Sequence, residues 1–360
     1  MLAVGDIMLG DQPACIGHGV RSQIEKKGAA FLFQRIAPAL TDSDLSFGNV
    51  ESVLSDDGFQ PGSLKHLEFR GRPGYAAELA RHGFNVMSVA NNHAMQYGRR
   101  SFEECVAALE QADIRAIGVA DIAGRSNCYR YAKNGFGVSC LAFSFRPDNY
   151  AIGPLPYANN PDIALEQIAE IRRSGDAIVV SVHWGEEYLN VPSAQQIGLA
   201  HRMIDAGASL ILGHHPHVVQ GVERYRNGAI AYSLGNFIAD FWQDYARKSA
   251  LLRCEITPDG IQRLELLPLW INREYQPTVP EAESMARLRS EFDGFDQQLV
   301  SVVSGLPHHD STAYQALASR VYRKYRMESY RYFLRNIYRY RPTMIYQSLA
   351  RFIDRRVSSD

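Results

Sequence analysis

Apolar residues along the chain come in short bursts, each closed by a polar or glycine-containing segment. Leu2-Ala3-Val4 ends in Gly5-Asp6 and reads as a buried strand opening into a loop. Leu45 to Val50, Val86 to Ala90, Ala116 to Val119, Phe136 to Phe143, Ala177 to Val182 and Leu210 to Leu212 read as further strands. Between them, 3.6-residue periodicity predicts helices at Gly74 to His82, around Phe102, Val106 and Leu109, at Asp162 to Ser174 and at Gln195 to Ala206. Gly83, Gly175 and Gly207 supply stops of the kind helices favour. Strands alternating with helices predict an α/β layered fold. Turn signals at Asn227-Gly228 and Pro258-Asp259-Gly260 add antiparallel hairpins to it.

From Pro280 the pattern turns helical: Glu281 to Phe292, Ala313 to Tyr340, then Ile345 to Val357. Pro307-His308-His309-Asp310 reads as a polar linker between them. The expected division is therefore a catalytic-type domain over 1–272 and a helical C-terminal extension over 273–360.

A net charge of −1 and 46% hydrophobic residues describe an ordinary globular chain of 360 residues and offer no sign of a nucleic-acid partner. The distribution is more telling. Ser319 to Asp360 carries a net charge of +8 and seven of the 19 tyrosines, which leaves the remainder at −9. Arg320 to Tyr340 is expected to pack on the acidic body, with arginine stems covering apolar surface. The competing expectation is a surface for an anionic polymer, or weak membrane-surface contact. The five cysteines are scattered and odd in number, which argues against a disulfide framework or zinc ribbon. Gly5-Asp6 interrupts the apolar start, and no run reaches the roughly 18–20 residues of a spanning helix. A cytoplasmic location is the expectation for the sequence as given.

Polar residues with metal-ligating atoms recur at one place, the end of an apolar strand. Asp6 closes the first; Asn49 and Glu51 close the second; Asn91, Asn92 and His93 close the third. His183 with Glu187 follows Ala177 to Val182, and His214, His215 and His217 follow Leu210 to Leu212. Asn236 sits after a further run at Ala229 to Tyr232. Carboxyl ends of parallel strands gather at one edge of an α/β sheet, so residues far apart in sequence converge there. Carboxylates, carboxamides and imidazoles suit Mn, Fe, Zn or Co. An extended segment places His215 and His217 on one face and turns His214 away. His308 and His309 read as structural, and His18, His66, His82 and His201 have no partner recognisable from sequence.

The ordered set G-D-I-M-L (Gly5 to Leu9), G-N-V-E (Gly48 to Glu51), N-N-H (Asn91 to His93), H-W-G-E-E (His183 to Glu187), G-H-H-P-H (Gly213 to His217) and S-L-G-N-F (Ser233 to Phe237) resembles the capsule-synthesis CapA family. That family is associated with poly-γ-glutamate capsule formation and is similar to the calcineurin-like metallophosphoesterases. The resemblance implies a four-layer αββα sandwich. It also implies a site for one or two divalent transition-metal ions held by Asp6, Glu51, Asn92, His183, His215 and His217. Glu51 would be the bridging carboxylate, and His93 the group that contacts phosphate or protonates a leaving oxygen. Asn49, Asn91, Glu187, His214 and Asn236 would support them. Two departures stand out: Met8 occupies the place of the histidine in the superfamily's D-x-H, and Glu51 replaces its usual bridging aspartate.

The expected activity is metal-dependent hydrolysis of a phosphoester or related bond in anionic cell-surface polymer synthesis, with capsule-synthesis proteins as partners. The alternatives are a non-catalytic accessory subunit that binds polymer or a synthase, and a γ-glutamyl amide hydrolase using the same site.

Overall fold

The computed structural model describes residues 1–41, 43–120, 127–148, 150, 155–305 and 311–348. The linker at 307–310 and the last expected helix beyond 348 lie outside the described residues.

In chain order the strands are β1 (Leu2–Ile7), β2 (Ser46–Val50), β3 (Val53–Leu54), β4 (Arg70–Gly71), β5 (Val86–Ser88), β6 (Arg115–Ile117), β7 (Cys128–Lys133) and β8 (Phe136–Ser144). They continue with β9 (Ala177–His183), β10 (Leu210–His214), β11 (Val222–Tyr225), β12 (Gly228–Ala231), β13 (Asn236–Ile238), β14 (Lys248–Thr257), β15 (Gly260–Ile271) and β16 (Pro277–Thr278). The helices are α1 (Val20–Lys27), α2 (Leu64–Leu67), α3 (Ala76–Arg81), α4 (Arg99–Gln111), α5 (Pro161–Ile171), α6 (Ala194–Ala206), α7 (Ala282–Ser304) and α8 (Ser311–Arg335).

Two sheets form the centre. The first runs β16-β15-β14-β1-β2-β5-β6, with β13 also paired to β1; the second runs β11-β12-β10-β9-β8-β7. Strands β1, β2, β5, β6 and β13 are parallel, as are β8, β9, β10 and β12. The expected hairpins, β11–β12 and β14–β15, are antiparallel.

Strand alternation explains the layering. In the second sheet Cys140, Ala142, Val179, Leu210, Leu212 and Ala231 join the core shared with the first sheet. Their neighbours Leu141, Phe143, Val180, Ile211 and Ile230 join a separate core with Ile168 of α5 and Ile197 and Met203 of α6. Helices α1, α3 and α4 send Val20, Leu79 and Val106 into the first core. The result is the αββα sandwich expected from the resemblance.

Two helices differ from expectation. Helix α7 continues past Phe292 to Ser304, because Leu299 extends its buried stripe beyond Gly294. Helix α8 stops at Arg335, where the Asn336 side chain donates to the Tyr332 carbonyl at 2.8 Å. The basic tail packs on the body: Tyr325 stacks on Tyr188 at 4.4 Å and Tyr332 on Trp242 at 4.0 Å. The Tyr340 hydroxyl donates to the Ala14 carbonyl. Among the described residues no helix is long and apolar enough to cross a membrane. All five cysteines are free.

Candidate metal centre

Strand register delivers the polar residues to one edge. Asp6 lies beside Asn49 of β2 and beside Asn236 of β13. The close approach of β13 requires Gly5, where a Cβ would sit 1.9 Å from the Gly235 carbonyl oxygen. In the second sheet His183 ends β9 opposite His214 of β10. The carboxyl ends of both sheets thus meet at one place.

Asp6 and Glu51 are both fully buried. Asp6 Oδ1 accepts from Asn49 Nδ2 at 2.8 Å, and Oδ2 accepts from the His215 backbone N–H at 3.1 Å. The His217 and His214 rings approach the same carboxylate at 3.5 and 3.3 Å. Burial opposes ionisation of Asp6, yet the close His214 and His217 rings outweigh it and hold the carboxyl well below its usual range. Glu51 has the opposite balance. Neither oxygen has a hydrogen-bond partner, and burial, together with the charges of Asp6 and Glu187, pushes its pKa well up.

Around Glu51 Oε1 stand His183 Nε2 at 3.4 Å, His217 Nε2 at 3.8 Å and His215 Nδ1 at 3.9 Å. Two sets of donor atoms, each lying within 4.8 Å of one another, share this carboxylate: Glu51 with His215 and His217, and Glu51 with Asp6 and His183. Both ring nitrogens of His215 lack a hydrogen bond. Burial also pushes His183 and His215 well below the usual imidazole range, which favours neutral rings, and the lone pair of His215 is free of any hydrogen bond. Buried polar atoms without partners are costly, and a divalent cation at this place would satisfy several at once. The donor set therefore fits such an ion.

Asn92 Oδ1 lies 2.8 Å from His183 Nε2, and Asn91 Nδ2 donates to the Val50 carbonyl at 2.8 Å. Asn236 Oδ1 meets His217 Nδ1 at 3.0 Å and so orients that ring. Burial lowers the His217 pKa, but the Asp6 carboxylate and then the charge of half-buried Glu187 outweigh it and raise the ring above its usual range. His93 Nδ1 contacts Gln96 Oε1 at 2.8 Å, and its ring lies 4.4 Å from Phe69. Burial brings its pKa down to about 4. With Nδ1–H given to Gln96, Nε2 remains for a substrate.

The structure corrects one local argument. His215 and His217 do not lie in an extended segment, since their φ values are +94° and +57°. Such backbone is costly for residues with a Cβ and is concentrated at functional sites. His214 lies against Phe47, with Nδ1 3.3 Å from the Asp6 carboxylate. Of the histidines with no recognisable partner, His18 meets Tyr332, His82 meets Glu78, His201 meets Glu223, and His66 lies edge-on to Tyr97. Gln96 escaped the sequence reading, although its place three residues after His93 puts both on one side of a turn.

Fold and cluster together define an α/β protein whose αββα sandwich gathers buried carboxylates and imidazoles at the carboxyl ends of its strands. The chain belongs to the bacterial capsule synthesis protein PGA_cap family, whose profile matches residues 1–241. It is 33% identical to the capsule biosynthesis protein CapA of Bacillus anthracis over 78% of this chain and 70% of that one. It is 32% identical to the PGA biosynthesis protein CapA of Bacillus subtilis, covering 78% and 74% of the two chains. The solved NAD nucleotidase of Haemophilus influenzae superposes with a TM-score of 0.46 at 13% identity, covering 92% of this chain and 60% of that one.

Proposed function

We propose that the protein is a metal-dependent hydrolase of a phosphoester or related bond, acting in the synthesis of an anionic capsule polymer of the poly-γ-glutamate kind. The observation that carries the hydrolase reading is Glu51, a fully buried carboxylate with two unpartnered oxygens, shared by two sets of imidazole and carboxylate donors. The polymer context is drawn from the names of the relatives.

Asp6, Glu51, Asn92, His183, His215 and His217 would hold one or two ions of Mn, Fe, Zn or Co. A bound ion of this class supplies Lewis acidity and can lower the pKa of its water to about 7. The remaining work belongs to the chain. Asn49 and Asn236 fix the Asp6 carboxylate and the His217 ring, and Gln96 presents His93 Nε2 to the reacting group. A substrate proton held at that nitrogen would pass to the leaving oxygen.

The test is elemental analysis of freshly purified protein, followed by a screen of phosphoesters and γ-glutamyl amides with the ion found. Phosphoester turnover that disappears in His215→Ala supports the reading. Turnover of γ-glutamyl amides alone would move the assignment to amide hydrolysis. A stoichiometric ion with no turnover on any substrate would favour a non-catalytic accessory role.

A further inference from the structure

Arg146 stands just past the end of strand β8, beside the metal cluster. Strands β8 and β9 pair in parallel with Ser144 opposite His183, and the Phe145 N–H donates to the His183 carbonyl at 2.9 Å. The Phe143 and Phe145 rings stack 6.0 Å apart and pack into the core under α5 and α6. Alternation therefore turns Ser144 and Arg146 to the opposite face, the one that carries His183.

Arg146 Nη1 donates to Glu186 Oε1 at 3.0 Å. Glu186 lies in the loop leaving β9, where Gly185 makes the turn at φ +82°. The two side chains are 27% and 33% exposed, so the pair is shielded yet open to a ligand. Buried Tyr314 of α8 lies close by: burial raises its hydroxyl pKa, and Glu186 and Arg146 then pull it in opposite directions.

The simpler reading is a latch that ties β8 to the loop after β9. Three features go further. Among the described residues Nη1 alone of the guanidinium is engaged, which leaves most of a planar fork suited to two oxygens of one anion. Asp6, Glu51 and Glu187 lie together, since the charges of Asp6 and Glu187 act on Glu51 after burial, and such a group repels an anionic substrate. The Arg146 charge also reaches the cluster, because after burial and His183 it is the next cause that holds the His215 ring low.

We propose that Arg146 is the specificity-determining cation of the metal centre, taking two oxygens of a substrate phosphoryl group on its fork, and that Glu186 occupies that place until the substrate arrives. The inference rests on the reading of the protein as a phosphoester hydrolase, and it adds the residue that recognises the ester's charge and the internal carboxylate that competes for it.

The experiment titrates inorganic phosphate into the full chain, purified with its metal, by calorimetry, with glutarate as a carboxylate comparator. Wild type should bind phosphate saturably and glutarate more weakly. Arg146→Ala should weaken phosphate roughly 10- to 100-fold, the size of a charge-assisted hydrogen bond. Arg146→Lys keeps the charge without the fork and should fall between. Glu186→Gln should tighten phosphate about two- to fivefold, the size of a partly exposed ion pair. A latch would move the Arg146 and Glu186 variants the same way, so the opposite signs are the decisive readout. Metal content, measured on the same samples, should match wild type throughout. If Arg146→Ala melts early, the direction of the Glu186→Gln change decides alone. No saturable phosphate binding, tighter binding of glutarate, unchanged affinity in a stably folded Arg146→Ala, or a Glu186→Gln variant that does not tighten would each overturn the proposal. This binding pattern without turnover of any ester would sink only the hydrolytic reading; phosphate affinity indifferent to Arg146 sinks this inference whatever the turnover.

Discussion

Two pairs of buried carboxylates lie close together in this fold, and they are surrounded in opposite ways. Asp6 and Glu51 face imidazoles, and Glu51 accepts no hydrogen bond at all. Asp11 and Asp240 face the backbone. Asp240 Oδ2 accepts from the Gln12 and Val20 N–H groups at 3.0 and 3.4 Å. Asp11 accepts from Ser22 N–H at 3.0 Å, from the Ser22 hydroxyl at 2.5 Å and from Gly17 N–H at 2.9 Å. Both carboxylates fill the space where a Cβ at Gly19 would lie, at 2.0 and 2.7 Å, which is why that position is glycine. Burial raises the pKa of both acids, and Asp11 raises Asp240 further. The first pair presents imidazole nitrogens and the unpartnered Glu51 oxygens to a cation; the second is held mainly by backbone donors and ties down the loop on which helix α8 docks.

The largest test of this contrast is removal of the imidazoles. His215→Ala with His217→Ala should abolish tight metal binding in elemental analysis, while Asp240→Asn should leave stoichiometry at the wild-type value. Full metal content in the double variant would show that the ligands lie elsewhere.

His93 comes next. It stands beside the first pair but belongs to the substrate side, so His93→Ala should retain the metal while turnover falls about 10²–10⁴-fold, the range of a general acid–base group. Loss of metal together with activity would reassign His93 as a ligand.

The second pair is tested by pH. A carboxyl whose folded pKa is raised above the unfolded value near 3.9 contributes stability that is fully present below that pH. The contribution is lost as pH rises through the folded pKa, at about 1.4 kcal/mol for each tenfold of proton affinity gained. Asp240→Asn keeps an acceptor for Gln12 and removes the proton equilibrium. Wild type should therefore lose denaturation free energy relative to Asp240→Asn as pH increases from about 4. Parallel pH profiles would mean that the pair holds no shared proton.

The contrast also shows what was legible in sequence. The first pair was readable because each residue follows an apolar run, and β-strand parallelism gathers such ends. Met8 was readable as a departure, and in the structure it is buried in an apolar cluster with Tyr188 and Phe241. The second pair was not readable. Asp240 interrupts the run Asn236 to Trp242 like any turn acid, and its partner Asp11 lies 229 residues away. Helix α1 was missed because Val20 and Ile24 are its only large apolar residues, too few to set a period. The glycine between the two acids carries a signal only once the space around it is known.

The smallest expected effect tests whether the second pair's loop and the metal cluster are independent. Tyr332 sits over this loop: its hydroxyl lies 3.2 Å from His18 Nε2 and 3.9 Å from the thiol of Cys15, which donates to the Asp240 carbonyl at 3.2 Å. Its ring stacks on Trp242. Tyr332→Phe keeps the stack and removes the hydroxyl, so the stability lost should be that of one ordinary hydrogen bond, about 0.5–1.5 kcal/mol. Tyr332→Ala removes the ring as well and should cost more, up to the roughly 3–5 kcal/mol of a large aromatic truncation. Denaturant titration separates the two, and elemental analysis of the same samples should find metal content unchanged in both. Depleted metal in Tyr332→Phe would mean that the loop bearing Asp11 and the strand end bearing Asp6 respond together, and the separation between a docking acid pair and a metal-binding one would fail.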